Sequence, residues 1–523
     1  MNQVAIDKSH PPALYILFFT EMWERFSYYG MRALLVLFLI SSLTDGGWGW
    51  ERQDAALLYG IYTGLVYLTP IIGGLIADKL LGYRKAVILG ALIMTIGHAS
   101  MAFETSFFFY LGLTCLIIGN GLFKPNISSI VGQLYTDEKK KDSAYTIFYM
   151  GINAGAFLGI LLCGYIGENI GWSYGFGLAG VFMFFGMLQF SFAQKIFGRI
   201  GLSPKETIAH DEIQDAGAYV HNKAYDFNKK PEEAAEEMPK HIARDRIIVI
   251  SVFAFFTIFF WWAFEQAGGS MTIFAADYTA RLLSGGAAMS FKVINTILTV
   301  VPMIILTGVL LNLFKKTFST YSLSSIFLST SFVIIWGLVI WMLWREYNAE
   351  ATEVPASWFG ILNSFFIISL APLFSKIWES KYNPTGPVKF AVGLILLGIG
   401  FAILAYGSMS IEQGAKTASV SMIWLILAYL FHTMGELCVS PVGLSYVSKL
   451  APVKLVGLMF GIWFVSNFIA NLLAGVTGSF IDPIVEKYSM SFFFLIFTIV
   501  PIIAGFIMLG LNKFLVKKMH GFH

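Results

Sequence analysis

Apolar runs long enough to cross a bilayer fill most of the chain, and short polar gaps punctuate them. A spanning helix needs ~20 mostly apolar residues. Runs of that length predict helices over 13–43, 53–79, 84–103, 107–134, 143–167 and 172–197. Eight more follow over 246–283, 290–314, 321–344, 356–379, 388–410, 418–449, 455–480 and 491–514, fourteen in all. Between the sixth and seventh lies a polar stretch, 198–245. It holds His210-Asp211-Glu212, Lys229-Lys230-Pro231-Glu232-Glu233 and Glu236-Glu237, with no sustained apolar period. It reads as a linker with room for a surface amphipathic helix. Barrel strands would instead give ~10-residue alternating segments, and the chain has none. The pattern defines an all-α membrane protein.

Lysine and arginine in the loops set the orientation. With the N-terminus cytoplasmic, one side collects Lys79, Arg84, Lys85, Lys139 to Lys141, the basic linker residues, Lys315 and Lys316. Lys381, Lys389, Lys449, Lys454, Lys517 and Lys518 join them. The other side keeps only Arg52, Arg281, Lys292, Arg345, Lys416 and Lys487. Both termini come out cytoplasmic, as tails over 1–12 and 515–523. Composition agrees: 57% of residues are hydrophobic and 13% charged, where soluble domains carry roughly 25% charged residues. The net charge of +3 adds little, and nothing points to nucleic acid. The first apolar run lacks the basic lead-in and cleavage site of a secretory signal. Cys115, Cys163 and Cys438 all sit in apolar segments, with neither a disulfide framework nor metal-ligand spacing, so neither metal nor cofactor is expected.

The charges inside apolar runs carry the chemistry. The first run contains Glu21-Met-Trp-Glu24-Arg25-Phe-Ser-Tyr28-Tyr29-Gly30-Met-Arg32. Glu21, Arg25, Tyr28 or Tyr29, and Arg32 fall on one helical stripe, and Glu24 sits beside it. A charge in a bilayer costs at least a few kcal/mol and usually faces a bundle interior or a water-filled path. A self-neutralising ion pair is the plain alternative. The fourth helix carries Lys124 before Pro125, far from either predicted end, where snorkelling would be strained. The fifth carries Asn153 among small residues, suited to binding or to interhelical glue. The seventh carries Trp261-Trp262-Ala-Phe-Glu265 and then Asp277. On a continuous helix these two acids would lie ~18 Å apart, with Glu265 near a cavity and Asp277 near the outer mouth or merely interfacial. Glu436 follows His432 by one turn and needs a cation, for which Lys124 is the natural candidate. His432 and His98 read as packing residues.

Six helices, a long linker and a second set suggest two bundles with a site between them. The first half would then offer Arg25, Arg32 and Lys124, and the second Glu265 and Glu436. Such a cavity suits a zwitterion with separated charges. Tyr28, Tyr29, Tyr67, Trp262 and Trp463 could line pockets in it. Against an intramembrane enzyme, the chain has no HExxH or GxSxG pattern.

Asp78-Lys-Leu-Leu-Gly82-Tyr-Arg84-Lys85 resembles the loop after the second helix of the major facilitator superfamily; Asp78 there could cap a helix end or pair with a basic residue. Glu21-x-x-Glu24-Arg25-Phe-x-Tyr28-Tyr29-Gly30 and Phe148-Tyr149-x-x-Ile152-Asn153-x-Gly155 are more specific. With Lys124, Trp261 to Gln266, Asn363-Ser-Phe-Phe and Gly435-Glu436…Ser440-Pro441, they resemble the proton-dependent oligopeptide transporters of that superfamily across nearly the whole chain.

The resemblance implies a major facilitator fold, two six-helix bundles plus two extra helices, and proton-coupled symport of di- and tripeptides by alternating access. The units would be 13–197, a linker over 198–245, then 246–283, an extra pair over 290–344, and 356–514. Glu21, Glu24 and Arg25 would couple protons. Tyr28, Tyr29, Arg32, Tyr67, Lys124, Asn153, Trp261, Asn363, Glu436, Trp463 and Asn467 would form the substrate site. Arg32 or Arg52 would pair with Glu265 or Asp277 to close the outer gate, and Lys124–Glu436 would respond to substrate. The implied partners are the peptide, protons and membrane lipid, with a monomer or weak homo-oligomer as the assembly. Related substrates such as nitrate, an amino acid or a drug remain open, as does a peptide-binding receptor. Two departures stand out: the extra pair falls after the helix that carries Glu265, and the second helix reads Tyr59-Gly-Ile-Tyr62 where animal members carry a histidine. Coupling would rest on carboxylates.

Overall fold

The computed structural model describes residues 10–207, 239–381, 383–452 and 455–521. The first half contains α1 (Pro12–Ile40), α2 (Arg52–Ile76), α3 (Tyr83–Met101), α4 (Ser106–Gln133), α5 (Glu138–Asn169) and α6 (Trp172–Phe192). After the linker come α7 (Lys240–Phe264), α8 (Ser270–Asp277), α9 (Gly285–Thr317), α10 (Ser322–Asn348), α11 (Ile361–Glu379) and α12 (Gly386–Gly407). Then follow α13 (Ile423–Leu450), α14 (Val456–Gly478), α15 (Ile481–Lys487), α16 (Met490–Gly510) and α17 (Asn512–Lys518). Among the described residues, twelve spans are long and apolar enough to cross a membrane. With α1 and α3, 29 and 19 residues long, they make the fourteen that the hydropathy pattern predicts. Alternation places the start of α1 and the end of α16 at one end of the bundle, here called inner, and Arg52 at the outer end.

Within the first half α1 packs on α5 and α6, α3 on α4 and α6, and α2 on α4. In the second, α12 packs on α13 and α16, and α7 on α13, α14 and α16. The halves meet chiefly where α2 lies along α14 and α5 along α11. At the first seam the backbones nearly touch: a Cβ added to Gly60 would fall 2.4 Å from Gly475 Cα. Only glycine permits that approach, and it lies toward the outer ends of both helices. The hairpin α9–α10 packs on the first half through α10 and α6.

Three expectations change. The helix expected over 246–283 starts earlier, at Lys240, and breaks into α7, a 3₁₀ turn over Glu265–Gly268, and α8. The break falls at Gly268-Gly269: Gly269 leaves helical geometry at φ −113° and ψ −102°, and the Tyr59 hydroxyl occupies the place of a Gly268 side chain, 1.8 Å from an ideal Cβ. The helix expected from 356 opens as a 3₁₀ turn, Ala356–Gly360, before α11. Four two-residue strands appear at the outer end, where none were expected. Thr279–Ala280 runs parallel to Val420–Ser421, and Leu282–Leu283 antiparallel to Thr352–Glu353. The expected amphipathic helix of the linker lies outside the described residues.

Candidate functional site

The stripe on α1 is buried: Glu21, Glu24 and Arg25 are 1%, 0% and 4% exposed, so water cannot screen their charges. Arg25 Nε donates to Glu21 Oε1 at 2.7 Å and lies 3.0 Å from Glu24 Oε2. Glu24 Oε1 accepts from Asn120 of α4 at 2.9 Å. One guanidinium therefore faces two carboxylates. Helical spacing produces the first contact, since residues four apart share a face.

Arg32, two turns on, leaves the first half and pairs with Glu265 of the 3₁₀ break. Its Nε donates to the Tyr59 hydroxyl at 2.6 Å, and its guanidinium lies over the Tyr29 and Tyr59 rings. At the outer end Arg52 bonds Asp277 at 2.6 Å, Asp482 at 2.9 Å, the Tyr278 hydroxyl at 2.9 Å and the Lys416 carbonyl at 2.7 Å. Arg32 and Arg52 thus tie the second half down at two depths.

Lys124 Nζ sits 4.5 Å from the centre of the Tyr67 ring, a cation–π contact. No ion pair to it occurs among the described residues. The expected Lys124–Glu436 pair is not made: Glu436 accepts from Asn363 at 2.8 Å, within its own half. Lys124 and Glu436 are on helices of opposite halves, so a bond between them would tie the halves together.

The remaining expected residues divide. Tyr28 and Tyr29 meet edge to face, with ring centres 5.1 Å apart. Asn153 donates back to the Tyr149 carbonyl at 3.0 Å. Trp261 stands half-buried between Phe260 and Phe264. Trp463 is buried, and Asn467 donates to its carbonyl at 2.8 Å. Trp262, expected to line a pocket, instead donates to Thr477 and packs on Phe497. His98 and His432 are buried, the latter against Phe401. In the loop after α2, Arg84 does not pair with Asp78 but donates to the carbonyls of Gly198 and Ile200.

Sequence reading missed Tyr59, Asn120, Tyr278 and Asp482 as members of these networks. Asn120 stands beside Gly119 in the Lys124 segment, which was the available signal. Asp482 has none, because its partner is 430 residues away.

Fourteen long helices, paired halves and charges held between them define a multi-pass membrane transporter of the major facilitator type. The profile of the POT family matches residues 84–335 and 329–492, and the chain belongs to that family. An uncharacterized transporter of Bacillus subtilis, YclF, is 32% identical, with 98% of this chain and 96% of that protein aligned. The peptide transporter YePEPT of Yersinia enterocolitica is 31% identical over 90% of this chain and 88% of its own. Among solved structures, a peptide transporter POT in complex with sulfate superposes with a TM-score of 0.72 at 28% identity, covering 98% of this chain and 97% of that one.

Proposed function

We propose that this chain is a proton-coupled symporter that imports di- and tripeptides across the cell membrane by alternating access, with both termini cytoplasmic. The observation that carries the reading is the closure of the outer end by Arg32–Glu265 and Arg52–Asp277 over a site where no ion pair to Lys124 occurs among the described residues. A zwitterionic peptide can place its carboxylate by Lys124 and its ammonium by Glu436, and Asn153 and Asn363 can bond its backbone. Tyr28, Tyr29, Tyr67, Trp261, Trp463 and Asn467 surround the side chains. Glu21 and Glu24 compete for Arg25, so a proton on one of them relieves the excess negative charge. Peptide and proton together shift the balance between outer-open and inner-open forms, because each binds them unequally. Lys124–Glu436 pairing would accompany closure of the inner half.

In this reading 13–197 forms one bundle, and 246–283 with 356–514 forms the other. The linker 198–245 joins them and 290–344 is an added pair. The protein works as a monomer or weak homo-oligomer in lipid. The family names of its relatives, including a di-/tripeptide transporter of Lactococcus lactis at 30% identity over 97% of this chain, support the substrate class.

Proteoliposomes test the proposal. A labelled dipeptide should accumulate only under an inward proton gradient, and excess unlabelled dipeptide should compete. Lys124→Ala should abolish accumulation, a loss of at least about tenfold expected for a charge-assisted hydrogen bond of 1.5–3 kcal/mol. Full accumulation by the variant would sink the assignment.

A further inference from the structure

Glu168 lies at the outer end of α5, the helix that carries Asn153. Its carboxylate reaches across to the second half and takes three hydrogen bonds from the start of the next segment. Ala356 N donates to Oε2 at 2.8 Å, Ser357 N to Oε1 at 2.9 Å, and the Ser357 hydroxyl to Oε1 at 2.5 Å. Alongside, Trp358 Nε1 donates to the Leu161 carbonyl at 3.0 Å, and the Tyr165 and Trp358 rings lie 6.0 Å apart. The 3₁₀ turn held in this way runs directly into α11, where Asn363 bonds Glu436.

Two features separate this contact from the arginine pairs. No lysine or arginine forms an ion pair with Glu168 among the described residues. The cation nearby, Arg281, is engaged with Glu353 and with the Val354 carbonyl. The clasp is therefore made of charge-assisted hydrogen bonds, which are about twice as strong as neutral ones. It also sits on the α5–α11 seam, whereas Arg52 starts α2, the helix of the α2–α14 seam. The bonds exist only while the outer ends of α5 and α11 are together. At the outer end, a released carboxylate can exchange them for water, which keeps the contact reversible.

We propose that Glu168 is a positioning residue of the transport cycle: a third outer clasp, tying α5 to the start of α11 whenever the outer end is shut. The inference rests on the alternating-access reading above. Weakening the clasp shifts the population toward the outer-open form and leaves the peptide-binding residues untouched.

The test measures outer-end separation rather than transport. Spin labels go at Thr105 and Glu412, both exposed and on opposite halves, after replacement of Cys115, Cys163 and Cys438. Pulsed dipolar spectroscopy then gives the two populations in the full-length protein in lipid. Glu168→Ala should raise the outer-open to outer-closed ratio by at least about tenfold. Glu168→Gln keeps one acceptor and should fall between Ala and wild type. Ser357→Ala removes only the hydroxyl donor and should move the ratio the same way by less, which keeps the test decisive if the Glu168 variants fail to fold. A mere helix cap would lower thermal stability without moving the distances. Unchanged distributions in folded variants, beside a wild type that visits both forms, would overturn the clasp. A wild type fixed at one distance under every peptide and proton condition would instead overturn alternating access.

Discussion

Arg25 faces two carboxylates and aligns a hydrogen bond with only one of them, Glu21. Glu24 keeps a bond from Asn120 and a close but poorly aligned contact with Arg25. In a buried site, two anions on one cation leave an uncompensated charge, and breaking such a set is costly. Each carboxylate keeps one buried oxygen without a hydrogen-bond partner, but only Glu21 takes an aligned bond from Arg25 itself, which makes Glu24 the better proton carrier. Glu24→Gln mimics its protonated form, so uptake by the variant should lose its dependence on the proton gradient while exchange of peptide across the membrane persists. Equal gradient-driven accumulation in variant and wild type would place the proton elsewhere. This cluster was legible in the sequence because its members are neighbours on one helix. Arg52–Asp482 was not: the partners are 430 residues apart, and an acid in a short outer helix reads, in the sequence, like any solvated charge.

At the scale of elements, periodicity and length located every long helix, since a spanning helix announces itself by an apolar run. The break after Phe264 escaped, because Gly268-Gly269 inside an apolar run is equally compatible with tight helix packing. Only the structure shows that Gly269 leaves helical geometry there. The α2–α14 seam escaped for the same reason. A methyl on Gly60 would stand 2.4 Å from Gly475 Cα and 2.7 Å from Gly475 N. Backbone cannot yield as a flexible side chain can, and overpacking costs about 1–3 kcal/mol. That cost falls on the outer-closed form alone. Gly60→Ala should therefore enrich the outer-open form by about 5- to 150-fold and slow net uptake, while the protein stays folded. The Thr105–Glu412 distance reads this directly, and a distribution identical to wild type would show that the seam gives way locally.

At the scale of the molecule, chain order and packing disagree about the α9–α10 hairpin. In sequence it belongs to the second half, between α8 and the turn leading into α11, where the hydropathy pattern places it. In space it leans on the first half. Ser324 donates to the Gln189 carbonyl at 2.8 Å, Phe327 stacks on Phe192, and Phe332 meets Phe19 and Trp23 of α1. Its ties to the second half are the short pairing of Leu282–Leu283 with Thr352–Glu353, Arg281, and the contact of Phe291 with Trp358. The sequence could not show this, because lipid-facing helices are apolar on all sides and no polar face marks which neighbour they meet. Helical contacts over several turns outweigh a two-residue ladder, so the hairpin should travel with the first half when the halves rock, with its outer connections acting as the hinge. Labels at Thr320 and Gln133 should keep one distance in acidic buffer with dipeptide and in alkaline buffer without it, while Thr320 to Ser448 changes between the two. The reverse pattern would assign the hairpin to the second half and make its contacts with α6 the ones that slide.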